Sequence, residues 1–332
     1  MGRATGTLLG LAIGDALGHP TEFRSYDEIA ASCPDWRLLP LPKKARVTDD
    51  TQMTLALARG LRTAAARGPL TPLRVERPVR EEFVDWWRSP ENNRAPGMTC
   101  LRACLRLSRP ERRWQEASDL GSKGCGANMR VAPVGLLPGL TDRQFSGVAR
   151  LQSALTHGHP TALAASELTA LTVRLLVAGA EPGELPGLLR SHARASRTRY
   201  DEFWLGDLAA HAHDHSPEEF TARGWDECLV ELDRLDAALA RPSLDADPCE
   251  ITGAGWVAEE AFGTALLCFL LLPQDPVAAV RRAAYSSGDS DSLACLAGAF
   301  AGARHGEAAW PAEWVERIEY RDELLDLGAH WD

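Results

Sequence analysis

A chain of 332 residues that is 45% hydrophobic and 25% charged is long and apolar enough to bury a large core, which excludes a disordered or fibrous protein. Its net charge of −10 argues against broad electrostatic attraction to nucleic acid or anionic membranes. The longest apolar run, Ala261 to Leu272, is too short to span a bilayer.

The chain opens with glycines at 2, 6, 10, 14 and 18. That spacing aligns them along one side of a helix. Each costs roughly 1 kcal/mol of helix propensity relative to Ala, so close packing against another helix or the core must compensate. Arg3 followed by Leu8 to Ile13 resembles a signal peptide, but the stretch is glycine-broken, interrupted by Asp15, and followed by no small-residue cleavage site. Gly18 predicts the helix stop, and Pro20 forces a loop that carries Glu22, which taken alone reads as a solvated acid. After a Pro-rich connection (Leu38 to Pro42) comes VTDDT, Val47 to Thr51, at the start of a second helix. Met53, Leu57, Leu61, Ala64 and Ala65 share one of its faces, and Gly68-Pro69 ends it. One oxygen-bearing side chain caps a helix, whereas four stand in a row here. Two adjacent buried acids repel each other, and a divalent cation would relieve them.

Helices are predicted over Glu81 to Arg88 and Met98 to Leu107. No alternating strand pattern of useful length occurs, so the fold class expected is all-α. The loop Gly121 to Gly135, GSKGCGANMRVAPVG, has three glycines within six residues, which lets backbone N–H groups converge on an anion. It is neither a Walker loop nor a dinucleotide fingerprint, because no GK[ST] ends it and Met129 holds the third glycine place. An irregular turn and a phosphate cradle both stay open. His157 and His159 precede a helix begun by Pro160 and Thr161. His211, His213 and His215 lie in a polar, acidic stretch and read as solvated rather than as a metal site. Trp256 follows a Gly-Ala-Gly turn ahead of an apolar helix, either as core or as a face for a flat ring. Eight cysteines, with no CxxC and no Cys/His zinc spacing, read as free thiols of a reducing compartment, which makes the cytoplasm the expected location.

The stretch Tyr285 to Gly306 places Asp289, Asp291 and Ser292 ahead of a helix with no polar face. Leu293, Leu296, Ala297 and Phe300 form one stripe. Ala294, Gly298, Ala301 and Gly302 cover the other side, so protein should enclose this helix all round. Capping and the helix dipole account for acids at such a mouth. They do not account for a second acid pair at Asp49 and Asp50. Beyond Gly306, Trp310, Trp314 and Trp331 stand among acids and predict a docking segment, 307–332, without chemistry of its own.

Taken in order, GDALG with its following Glu, VTDDT, a GxGAxMRVAPVG-like loop, SALTHxHP, GWV and GDSDS resemble the ADP-ribosylglycohydrolases related to dinitrogenase reductase-activating glycohydrolase, from about Thr5 to Gly306. The resemblance implies one compact all-α domain, 1–332, a helical bundle with two Mg²⁺, or Mn²⁺ in their place, in a central cleft. It implies Thr48, Asp49, Asp50, Asp289, Asp291 and Ser292 as metal ligands, all hard oxygen donors. Asp50, Asp291 and Glu22 are the implied catalytic residues, Glu22 as a mobile loop glutamate. Gly124, Gly126, Asn128, Met129 and Arg130 match the segment around the diphosphate and distal ribose of ADP-ribose, with His157 nearby and Trp256 on the adenosine side. Ser287, Cys125 and Asn128 depart from the family pattern without removing a ligand. The implied reaction releases ADP-ribose from an ADP-ribosylated protein, with arginine favoured as acceptor over serine or another O-linked group, by a monomer. A non-catalytic ADP-ribose-binding or immunity protein and a metal-dependent phosphohydrolase are the alternatives.

Overall fold

Glycine at every fourth position decides how the first helix, Arg3–Gly18, packs. The computed structural model describes residues 2–332, and in it this helix is buried from Ala4 onward. A Cβ added to Gly10 would lie 2.3 Å from the Gly298 carbonyl oxygen, and one on Gly14 would lie 2.0 Å from that of Ala294. The two backbones therefore touch. The partner is the small-residue helix Ser290–His305, buried on every side as its lack of a polar face predicts. Gly6 meets Gly302 while Gly18 meets Ser290, so the pair is antiparallel, and the end of the first helix lies at the acidic start of the second.

Eighteen α-helices surround and include this pair, and among the described residues the only extended pairings are isolated bridges such as Gly124 with Val257. The all-α expectation holds. The helix Asp49–Ala66 buries Met53, Leu57, Leu61 and Ala64, whereas Ala65 is exposed. The helix expected over Glu81 to Arg88 begins earlier, at Pro72, because Thr71 caps it and proline suits a first turn. The glycine-rich loop is shorter than its sequence suggests, since a helix runs from Ala132 to Leu136 within it. The helix Pro160–Val177 is long and apolar enough to cross a membrane, but most of its length is buried in the fold beside Pro217–Ala240 and Ala258–Leu271. All eight cysteines are free.

The C-terminal segment docks on the first helix. Trp310 donates its indole N–H to the Gly6 carbonyl (2.9 Å). The Asp332 carboxylate accepts from the Ala4 N–H (2.6 Å) and the Thr5 hydroxyl (2.6 Å), satisfying the start of a helix whose own Gly2 cap has no side chain to do so.

Candidate functional site

Two helix starts meet at the exit of the first helix. Asp49–Ala66 presents Thr48, Asp49 and Asp50, and Ser290–His305 presents Asp289, Asp291 and Ser292; all six are buried. Capping explains only the first mouth, where Thr48 Oγ1 accepts from the Asp50 N–H (3.3 Å). Asp289 occupies the cap position of the second helix, yet its side chain makes no capping bond. Asp49 accepts only one long bond, from Gly97 N–H (3.3 Å), and the Asp50 Oδ2 is buried with no partner.

Burial pushes the carboxyls of Asp49, Asp50 and Asp289 well above the usual range, and the charge of Asp291 adds to it in each case. No lysine or arginine forms an ion pair with any acid of this group among the described residues. Glu22 lies at its rim, raised first by burial and then lowered in part by His19. His19, Glu22 and Asp291 place one ligand atom each within 4.8 Å of one another. The surroundings suit a hard divalent cation, because concentrated carboxylate oxygen without protein countercharge is what such an ion binds.

Asp15 was missed as a site residue. It is wholly buried, and its carboxylate accepts from the N–H groups of Thr48 (2.9 and 3.0 Å) and Thr51 (3.1 Å) and from the Thr51 hydroxyl (2.5 Å). Burial and then Asp291 push it up to about 7, against the pull of those bonds. It ties the first helix to the VTDDT mouth. The signal was present as the one acid inside an apolar, glycine-lined helix.

The glycine loop forms the neighbouring wall. The His157 ring lies beneath it: a Cβ on Gly126 would come within 2.9 Å of the ring, so glycine is required for the loop to rest there. His157 Nδ1 pairs with the Thr156 hydroxyl (2.8 Å), and burial, then Arg130, push its pKa down to about 3, so the ring is neutral. Gly124 pairs with Val257, Asn128 donates to the Ala258 carbonyl (3.0 Å), and Met129 is buried. Arg130 points inward. Its guanidinium donates to Gln152, Thr156 and the Gly126 carbonyl and lies over Phe83 (4.3 Å), bracing the loop from behind. Trp256 is not core; it is 43% exposed and stacked on Phe23. The histidines at 211, 213 and 215 are exposed and lie outside this group.

Comparison with known proteins matches the chain to one family. A family profile described as ADP-ribosylglycohydrolase covers residues 1–331. The chain is 26% identical over 326 residues to the ADP-ribosyl-[dinitrogen reductase] glycohydrolase of Rhodospirillum rubrum, covering 97% of this chain and 92% of that protein. It is 27% identical over 337 residues to the ADP-ribosylarginine hydrolase Tri1 of Pseudomonas putida (98% and 76%), and 26% over 344 residues to the ADP-ribosylhydrolase ARH3 of Mus musculus (96% and 87%). A solved chain titled ADP-ribosylglycohydrolase-related protein complex superposes with a TM-score of 0.68 at 23% identity, covering 99% of this chain and 96% of that one.

Proposed function

The chain belongs to the ADP-ribosylglycohydrolase family, and we propose that it is a Mg²⁺-dependent hydrolase that cleaves the bond between the ribose anomeric carbon of ADP-ribose and an acceptor side chain, arginine by preference. The observation that carries this reading is the pair of buried acidic mouths, with Asp50 Oδ2 unpartnered and, among the described residues, no lysine or arginine paired with them. Thr48, Asp49, Asp50, Asp289, Asp291 and Ser292 would hold two ions, Mg²⁺ or Mn²⁺. When bound, they supply positive charge to the ribose hydroxyls and to a water.

The chain's own residues do the rest. The glycine loop, from Gly124 to Arg130, seats the diphosphate beside the neutral His157 ring. A ribosylated guanidinium leaves as a neutral guanidine, so its departure needs no protein acid. The electron-poor anomeric carbon left behind is stabilised by the surrounding carboxylates. Water adds its oxygen to that carbon, Asp50 or Asp291 accepts its proton, and the freed guanidine takes up a proton from solvent. Glu22 closes the rim beside Asp291. Asp15 holds the Thr48 mouth in register.

The working form is a monomer acting on ADP-ribosylated protein in the cytoplasm, a location that eight free cysteines support. The test is incubation with ADP-ribosyl-arginine, ADP-ribosyl-serine and free ADP-ribose, with and without Mg²⁺. Release of ADP-ribose only with metal supports the hydrolase. AMP would mark a phosphohydrolase, and tight binding without product a non-catalytic binder.

A further inference from the structure

Two aromatic rings stand beside the acids without a part in the hydrolytic chemistry. Phe23 is 70% exposed and Trp256 43%, yet they stack on each other with centroids 5.3 Å apart and planes inclined by 19°. Single exposed aromatics need no explanation, but here two backbone walls hold a pair together.

Phe23 follows Glu22 directly and sits at φ 62, in the left-handed region that a bulky residue adopts only under strain. Its loop is fastened to the acidic helix, since the Thr21 hydroxyl bonds to Ser290 Oγ (3.0 Å) and to the Ala284 carbonyl (2.6 Å). Trp256 comes from the other wall. Its carbonyl accepts from Cys125 N–H (3.2 Å), and the Ala254 carbonyl just before it accepts from Asp289 N–H (2.7 Å). Gly255 between them sits at φ 84, against the Leu293 side chain and the Asp289 Cβ. Both rings are thus rooted in residues adjoining the acids, and Glu22, whose carboxylate lies with His19 and Asp291, directly precedes Phe23.

A ring face next to a carboxylate is a receptor for a planar cation. The face attracts the charge, the plane allows stacking, and the carboxylate pairs with the N–H groups. A guanidinium meets all three conditions. A serine hydroxyl meets none, and adenine is uncharged and gains nothing from Glu22. Resting on the hydrolase reading above, we propose that Phe23 and Trp256 form an aromatic clamp that parts to take the acceptor guanidinium against a ring face beside Glu22. The clamp selects arginine over serine, and it places Trp256 on the acceptor side of the site rather than on the adenosine side that the family resemblance implies.

The experiment measures kcat and KM for ADP-ribosyl-arginine and ADP-ribosyl-serine peptides, and the affinity for free ADP-ribose, on the full chain and on Phe23→Ala and Phe23→Tyr. Phe23 is exposed, so both variants should keep the wild-type melting temperature. Phe23→Ala should lower kcat/KM for the arginine conjugate about tenfold, mainly through KM, and should lower the arginine-to-serine ratio with it. Affinity for free ADP-ribose should stay within about twofold, and Phe23→Tyr should restore the arginine value. An unchanged arginine value, a fall in ADP-ribose affinity in step with it, or a wild-type preference for serine overturns the clamp. If the wild type cleaves neither conjugate, the hydrolase reading falls instead. The clamp then stands only if Phe23→Ala weakens binding of the intact arginine conjugate by the same factor.

Discussion

This protein buries carboxylates in two places and treats them in opposite ways. In the helix Pro160–Val177, Glu167 is fully buried, yet its carboxylate accepts from the Ser146 hydroxyl (2.6 Å), pairs with His192 Nε2 (2.7 Å) and binds the Arg150 guanidinium. Burial is the largest influence on it and raises its pKa, but Arg150 and His192 together outweigh burial and hold it at about 2. At the two helix mouths, burial and Asp291 act in the same direction, and Asp49, Asp50 and Asp289 are driven well up. Burial and the carboxyl group are shared, so the difference is countercharge. Glu167 has its cations built into the chain, whereas the mouths have no lysine or arginine partner among the described residues.

Neutralising each region should therefore have opposite consequences. The largest effect is expected from Asp289→Asn combined with Asp291→Asn, which should lower ADP-ribose release by about a thousandfold or more while circular dichroism stays helical. A rate near that of the wild type would sink the metal assignment. Glu167→Gln should do the reverse, lowering unfolding free energy by about 3 kcal/mol in urea at neutral pH while leaving kcat alone. The pH dependence has a definite sign. The folded value of about 2 lies below the ordinary 4.5, so Glu167 contributes its full stability above about pH 4.5 and loses it as pH falls toward 2. That slope should vanish in the Gln variant.

Next in size is the response to Mg²⁺. At a concentration about a hundred times its Kd, the ion should stabilise the wild type by about 2.7 kcal/mol in a thermal or urea melt, and the Asp289/Asp291 double variant much less. An equal response from both proteins would place the ion elsewhere. Smallest is Asp50→Asn without metal. Replacing one of several buried carboxyls that must either ionise against one another or hold a proton at neutral pH should stabilise the metal-free protein, by about 1 kcal/mol, while activity is lost. Destabilisation there would mean that the mouths are balanced as they stand, and would erase the contrast with Glu167.

Much of this was legible in the residues. The four-residue glycine spacing called for a close helix partner, and the small-residue helix with no polar face called for enclosure; the two proved to be each other's partner. The acids at both mouths were readable for the same reason, because an Asp at a helix start is a local feature. Asp15 was legible only as a lone acid in an apolar helix, and Phe23 not at all, since the role of each comes from what it touches. Arg130 shows the same limit from the other side: its place in the glycine loop was plain, but the inward turn of its guanidinium depends on Gln152, Thr156 and Phe83, all supplied by other helices.

Periodicity, caps and glycine spacing act over a few residues, so the amino-acid sequence alone determined an all-helical protein with two acidic helix starts, a glycine loop and a family resemblance. Hydrogen bonding and charge act through space. Only the tertiary structure decided that Asp289 does not cap its helix, that Asp15 braces the other mouth, that the acids pair with no lysine or arginine among the described residues, and that Phe23 meets Trp256.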